Sequence, residues 1–210
     1  TGLSSNMKER TVLLHSEGVN LDIYQYRKLN IEKDINIIFV GRLLYEKGVC
    51  DFIDVAKKIR SKYKTISFRV VGSKKQSKKH VIQKLNKAIN DQVISYIEHS
   101  DDIPTLLEKS HLFILPSFYI EGVPRSTLEA MSVGRPIITT NHVGCKETVI
   151  DGYNGFLVDV KSPEQIQDKI EYFINNKHKL IEFGNNSRKL VEEKFEMSKI
   201  NSKIKKYLFD

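Results

Sequence analysis

Apolar runs of strand length alternate along the chain with stretches in which apolar residues recur every three to four positions. Ile35 Asn36 Ile37 Ile38 Phe39 Val40 is an almost unbroken apolar run closed by Gly41, the pattern of a strand buried on both faces. Over 49–63, Val49, Phe52, Ile53, Ala56, Ile59 and Tyr63 fall on one helical face, which predicts an amphipathic helix. Ile66–Val71 reads as another buried strand ending at Gly72, and 78–90 as a helix with Val81, Ile82, Leu85 and Ile89 inward. The same reasoning predicts strands at 11–15, 93–97, 111–115, 136–139 and 155–159, with short helices at 103–109 and 124–133.

Strands followed repeatedly by helices, and apolar on both faces, specify a parallel sheet covered on both sides. The expected fold class is therefore α/β, a doubly wound Rossmann-like parallel sheet. After Asp159 the strand pattern stops. Ser162, Pro163 and Gln165 have the spacing of a capping box with proline in the first turn, and a helical tail is expected to near Asp210. The expectation is one domain over 1–210, with its core at 11–160 and the tail at 161–210.

A chain of 210 residues, 40% hydrophobic and 29% charged, is long enough to bury a core of this kind. No apolar run reaches the length of a membrane span, and Thr1 to Arg10 lack the pattern of a secretory signal, so a cytoplasmic setting is expected. Cys50 and Cys145 have no paired spacing and read as buried thiols in reducing surroundings. The abundance of Lys, Asn and Ile fits a bacterial, AT-rich coding sequence. The net charge of +8 favours phosphate-rich ligands or an anionic membrane surface. The densest basic stretch, Lys74 Lys75 Gln76 Ser77 Lys78 Lys79, lacks the aromatics that stack bases, so it reads as a solvated loop and no nucleic-acid partner is expected.

Parallel sheets bind ligands beyond the carboxyl ends of their strands, which directs attention to two loops. Gly41 Arg42 Leu43 Leu44 Tyr45 Glu46 Lys47 Gly48 places two cations between glycines just ahead of a helix. Close backbone approach, the helix N-terminus, a forked guanidinium and an ammonium together suit a diphosphate, although a surface turn accounts for the same octet. In the loop from Pro116 to Ala130, Glu121 lies ahead of a helix whose first turn is marked by Pro124, and Glu129 lies inside it. Gly122 leaves backbone N–H groups open to sugar or phosphate oxygens, and carboxylates accept from sugar and ribose hydroxyls. Eight helical residues rise about 12 Å, beyond the roughly 5 to 9.5 Å of a glycosidase pair, so hydrolysis by these two acids is not expected.

These motifs, with Gly18 Val19 Asn20, Leu115 Pro116 Ser117, Leu128 Glu129 Ala130 Met131, Gly134 Arg135 Pro136 and Asp151 Gly152 Tyr153 Asn154 Gly155 in that order, resemble the C-terminal donor-binding domain of family-four retaining glycosyltransferases, which have the two-domain GT-B fold. The resemblance implies that Arg42 and Lys47, with Gly41, bind the donor diphosphate and, with Glu121, form the catalytic set. It implies that Glu121 and the backbone of Gly122, Val123 and Pro124 hold the transferred sugar, that Glu129 binds the ribose, and that Ser126 is among the donor contacts. Ile103 is placed to pack on the base, a UDP-sugar being favoured over a GDP-sugar, while Asp101 or Asp102 also reads simply as a helix cap. No metal is expected, because preorganised cations can stabilise the leaving diphosphate. Where the family often has a second glycine after Gly144, this chain has Cys145, which either narrows the sugar pocket or points away.

The resemblance further implies hexosyl transfer to a glycan or lipid-linked acceptor in surface polysaccharide synthesis, with contact to the inner face of an anionic membrane. The N-terminal acceptor domain of such enzymes has no counterpart here, so the chain alone is expected to hold donor without completing transfer. A non-catalytic nucleotide-sugar-binding subunit and an epimerase-like enzyme are the alternatives. A dehydrogenase and a Walker-type nucleotidase are excluded by the absence of Gly-x-Gly-x-x-Gly after a strand and of Gly-Lys-Ser/Thr.

Overall fold

The computed structural model describes residues 18–31 and 34–209; the strand expected at 11–15 lies outside them. Six parallel strands form one sheet in the order β3-β2-β1-β4-β5-β6: β1 (Ile35–Val40), β2 (Ile66–Val71), β3 (Ser95–Ile97), β4 (Leu112–Leu115), β5 (Ile137–Thr140) and β6 (Gly155–Val158). Helices α1 (Val49–Lys62), α2 (Lys79–Asn90), α3 (Ile103–Glu108), α4 (Arg125–Ser132), α5 (Pro163–Asn175), α6 (Lys177–Lys194) and α7 (Met197–Phe209) connect and cover the strands. This is the doubly wound arrangement read from the sequence. α1 packs against α2 and α5, and α4 against α6, so the central strands are apolar on both sides because both sides are covered.

Phe39, Phe52 and Phe68 stack between β1, α1 and β2, with centroids 5.6 to 5.7 Å apart. Phe156, Phe173 and Phe183 join β6 to the helical tail. The Asp151–Gly155 motif is a turn held by its own side chains. Asn154 accepts from the Ile150 N–H and donates to the Thr148 carbonyl, and Asp151 accepts from the Leu157 N–H. At the same amino-terminal end of the sheet the Asn36 N–H donates to His111 Nδ1 at 3.0 Å, and His111 Nε2 meets the Asn30 carbonyl at 3.1 Å. That pairing leaves Nδ1 as acceptor and Nε2 as donor, a neutral imidazole, and burial holds His111 below the usual histidine range.

Three expectations shift. β3 begins at Ser95 rather than at 93, because the N–H groups of Val93 and Ile94 bond to the Ala88 carbonyl at the end of α2. Pro124 is the N-cap of α4, not part of its first turn. The capping box does not form, since the Ser162 hydroxyl bonds to the Val160 carbonyl and Gln165 turns back onto Asp159, accepting from its N–H and donating to its carboxylate.

Candidate functional site

Chain order reverses direction across the sheet between β1 and β4, which opens a crevice beyond their carboxyl ends. The two loops singled out from the sequence leave from these two strands. In the first, buried Leu43 anchors the chain and the single turn Tyr45–Lys47 carries the lysine. Gly48 then starts α1 with φ +77°, and a Cβ there would lie 2.1 Å from the Pro116 carbonyl oxygen. Only glycine permits that approach, and it locks the first loop against the second. The Phe118 N–H completes the junction by donating to the Glu46 carbonyl at 2.8 Å.

The second loop is held from beneath by β5, where Thr139 donates to the Leu115 carbonyl and Thr140 to the Ser117 carbonyl. Its Tyr119 ring lies beside both cations of the first loop, with Arg42 Cζ 5.3 Å and Lys47 Nζ 5.2 Å from its centroid. Lys47 also donates to the Glu121 carboxylate, the two side chains being 8% and 23% exposed. Arg42 is exposed and forms no ion pair among the described residues. Gly122 faces open space, whereas a Cβ on Gly144 (φ +78°) would lie 2.2 Å from the Gly122 carbonyl oxygen. The turn after β5 therefore backs directly onto the main chain that carries Glu121. Cys145 is fully buried, its Sγ 3.9 Å from the Ser117 carbonyl, so it points into the support beneath the loop and away from the crevice.

Glu129 forms a second cluster. It lies in α4, is 7% exposed, and bonds to Arg125 Nε at 3.1 Å. Burial raises its carboxyl above the usual range, opposed by Tyr24 and Arg125. The Tyr24 phenol is pushed up in turn, by its own burial and then by Glu129. Val123 and Ser126 are half-buried and Pro124 is buried, its carbonyl accepting the Thr127 and Leu128 N–H groups. Ile103 opens α3 and packs, partly buried, against the core. Asp102 caps that helix by accepting from the Thr105 N–H at 3.1 Å, which holds its carboxyl below the usual range.

The structure thus gathers Arg42, Lys47, Glu121 and Gly122 at the switch point and leaves Gly41 beside them, while Glu129 joins Arg125. Tyr119, Arg125 and Tyr24 were not singled out from sequence. Tyr119 lay inside a loop already of interest, but nothing in the pattern near Tyr24 pointed to a residue 105 positions further on. Chemically, two cations around one ring with an acid alongside suit an anionic group attached to a polyhydroxy ligand.

The glycosyl transferases group 1 profile matches residues 24–190, a span that includes both clusters. The chain belongs to the glycosyl transferases group 1 family. Among relatives in this family, it is 32% identical over 172 residues to the capsular polysaccharide biosynthesis glycosyltransferase CapM of Staphylococcus aureus, which covers 81% of this chain and 44% of that protein. Its fold is similar to the crystal structure of the C-terminal domain of the group 1 family protein LpcC from Francisella tularensis (TM-score 0.73, 27% identity, 86% of this chain and 100% of that one). It is also similar in fold to Anabaena Alr3699/HepE in complex with UDP-glucose (TM-score 0.79, 21% identity, 91% of this chain and 55% of that one). The chain spans about half the length of the curated relatives it matches. No helix among the described residues is long and apolar enough to cross a membrane.

Proposed function

We propose that this chain is the donor-binding half of a retaining glycosyltransferase, holding a UDP-sugar for hexosyl transfer to a glycan or lipid-linked acceptor in surface polysaccharide synthesis. The observation that carries this reading is the convergence of Arg42, Lys47, Tyr119 and Glu121 at the switch point of the sheet. In the reading, Arg42 forks onto diphosphate oxygens, and Lys47 divides its hydrogens between the diphosphate and Glu121. Glu121 and the open backbone at Gly122 receive the sugar, and the buried Glu129 carboxylate accepts from ribose hydroxyls.

When the glycosidic bond to phosphate breaks, negative charge collects on the diphosphate, and the two cations stabilise it from fixed positions without a metal ion. UDP is favoured by the UDP-glucose complex of the structurally similar Anabaena protein, and the polysaccharide pathway by the capsular relative. The acceptor and the rest of the active site would come from a second domain, and the formal charge of +8 supports contact with an anionic membrane that carries the acceptor.

Calorimetric titration of the chain with UDP, GDP and CDP, with and without magnesium, tests this reading. Saturable binding of UDP in the absence of metal is expected, with weaker binding of the other two. Failure of all three nucleotides to bind would overturn it.

A further inference from the structure

We infer that Arg42 and the loop after β2 form a second phosphate site beside the donor diphosphate, one that takes a phosphate group carried by the acceptor. The inference rests on the reading of the crevice between β1 and β4 as the donor site.

Loops at the carboxyl ends of the strands follow the sheet order, so the loop after β1 has the β4 loop on one side and the loop after β2, residues 72–78, on the other. This second junction is as closely built as the first. A Cβ on Gly72 would lie 1.8 Å from the Gly41 carbonyl oxygen, the Leu43 N–H donates to the Ser73 carbonyl at 3.3 Å, and Lys78 Nζ reaches the Glu46 carboxylate at 3.0 Å. Within the loop the Lys75 N–H donates to the Ser73 hydroxyl at 3.2 Å, and the Ser77 N–H to the Lys74 carbonyl at 2.9 Å. The turn that carries Lys75 is therefore fixed against the strand end that carries Arg42.

An open recess of about 190 Å³ lies there, lined by Arg42, Leu44, Ser73, Lys75 and Gln76. Lys47, Tyr119 and Glu121 are not among its walls, so Arg42 borders two spaces, the crevice towards β4 and this recess towards β2. A guanidinium with five N–H donors can serve an anion in each. The protein leaves the charge of the recess unanswered. No carboxylate among the described residues lines it, and neither Arg42 nor Lys75 forms an ion pair among them. Two nearby lysines are engaged elsewhere, Lys74 with Nζ 4.5 Å from the Tyr96 ring centroid and Lys78 with Glu46. Two like charges facing one cavity repel each other and attract an anion. Ser73 and Gln76 add neutral donors, and half-buried Leu44 an apolar wall. That combination suits a phosphate group joined to an organic residue. The donor diphosphate fills the crevice, so a phosphate in the recess belongs to the other substrate.

The test is calorimetric titration of the UDP-saturated chain with inorganic pyrophosphate and with geranyl diphosphate, in the unmodified protein, Lys75→Ala and Lys79→Ala, with UDP titrated separately into each. Both lysines are exposed, but only Lys75 lines the recess. Pyrophosphate is expected to bind beside UDP, and Lys75→Ala to weaken it about fivefold, several times the change seen with UDP. Lys79→Ala is expected to change pyrophosphate less than about twofold, as a distant screened charge does. Equal affinity for the two probes supports a site that reads the phosphate alone, as a phosphorylated glycan presents it. Tighter geranyl diphosphate supports a lipid-linked phosphate whose chain lies against Leu44.

Pyrophosphate that binds only by displacing UDP overturns the inference, and so do losses of similar size in Lys75→Ala and Lys79→Ala. A Lys75→Ala variant that weakens UDP and pyrophosphate by the same factor also overturns it, by placing Lys75 on the donor. If UDP fails to bind while pyrophosphate binds in a Lys75-dependent way, the donor reading fails and the phosphate site stands. If UDP binds and pyrophosphate finds no second site, only the present inference fails.

Discussion

Replacing Lys47 by alanine removes one of the two cations at the switch point, and its surroundings set the size of the expected loss. A hydrogen bond to a charged group contributes about 1.5 to 3 kcal/mol. Lys47 is already engaged by Glu121, however, and with side chains 8% and 23% exposed the pair falls between a surface ion pair, worth about 0 to 1 kcal/mol, and a buried one. Giving up part of that pairing on binding costs about 1 kcal/mol. The net contribution of Lys47 to UDP binding is then about 0.5 to 2 kcal/mol, a two- to thirtyfold loss of affinity in Lys47→Ala.

Arg42 has no acidic partner to relinquish among the described residues, so Arg42→Ala is expected to cost more, about ten- to a hundredfold. Glu121→Gln releases Lys47 and removes a negative charge beside the diphosphate, so it should tighten UDP about threefold while abolishing any preference for UDP-glucose over UDP. Calorimetry at fixed ionic strength measures all three, and thermal unfolding should show Lys47→Ala losing only about 2 to 4 °C. Affinities within twofold of the unmodified chain for both cation variants, or a Glu121→Gln variant that binds UDP as poorly as Lys47→Ala, would refute the reasoning.

Glu129→Ala is expected to weaken UDP about tenfold and uracil alone hardly at all; equal losses by calorimetry would remove Glu129 from the ribose site. Gly48→Ala should lower stability by more than about 2 kcal/mol, because its Cβ would meet the Pro116 carbonyl at 2.1 Å where φ is +77°, and denaturant unfolding that shows no loss would contradict the junction described. His111 titrates lower when folded than when unfolded, so the unfolded chain takes up its proton first and stability should fall as pH drops below about 6.5. Above that pH the group contributes no slope, and His111→Gln should flatten the acid side; an unchanged slope would refute the assignment. Sedimentation with anionic vesicles should exceed that with neutral vesicles and decline with salt, whereas lipid-independent sedimentation would exclude the membrane contact.

Much of the scaffold was legible in the chain because its determinants are local and periodic. β1 and β2 begin and end where their apolar runs do, and α1 follows the face marked by Phe52, Ile53, Ala56 and Ile59. What failed was the detail governed by competition between hydrogen-bond partners. Val93 and Ile94 are as apolar as strand residues, but their N–H groups are taken by Ala88. Ser162 and Gln165 have capping-box spacing, but Asp159 offers Gln165 both a donor and an acceptor.

The candidate site divides along the same line. Residue types and spacing mark Arg42, Lys47 and Glu121 in loops ahead of helices and Glu129 within one, although a surface turn or a helix-dipole partner accounts for each taken singly. Their grouping is a tertiary matter. The strand order places the loops after β1 and β4 side by side, and Gly48 lets them touch. Tyr119 then comes to lie beside two cations more than 70 positions upstream, and Cys145 turns into the support beneath Ser117. The sequence by itself determined a doubly wound sheet and most of its polar candidates, through periodicity and loop chemistry. Only the tertiary structure decided which of them meet, and that Arg188 ties the Tyr24 carbonyl to that of Ser132, because contact across a hundred residues depends on packing that no local pattern encodes.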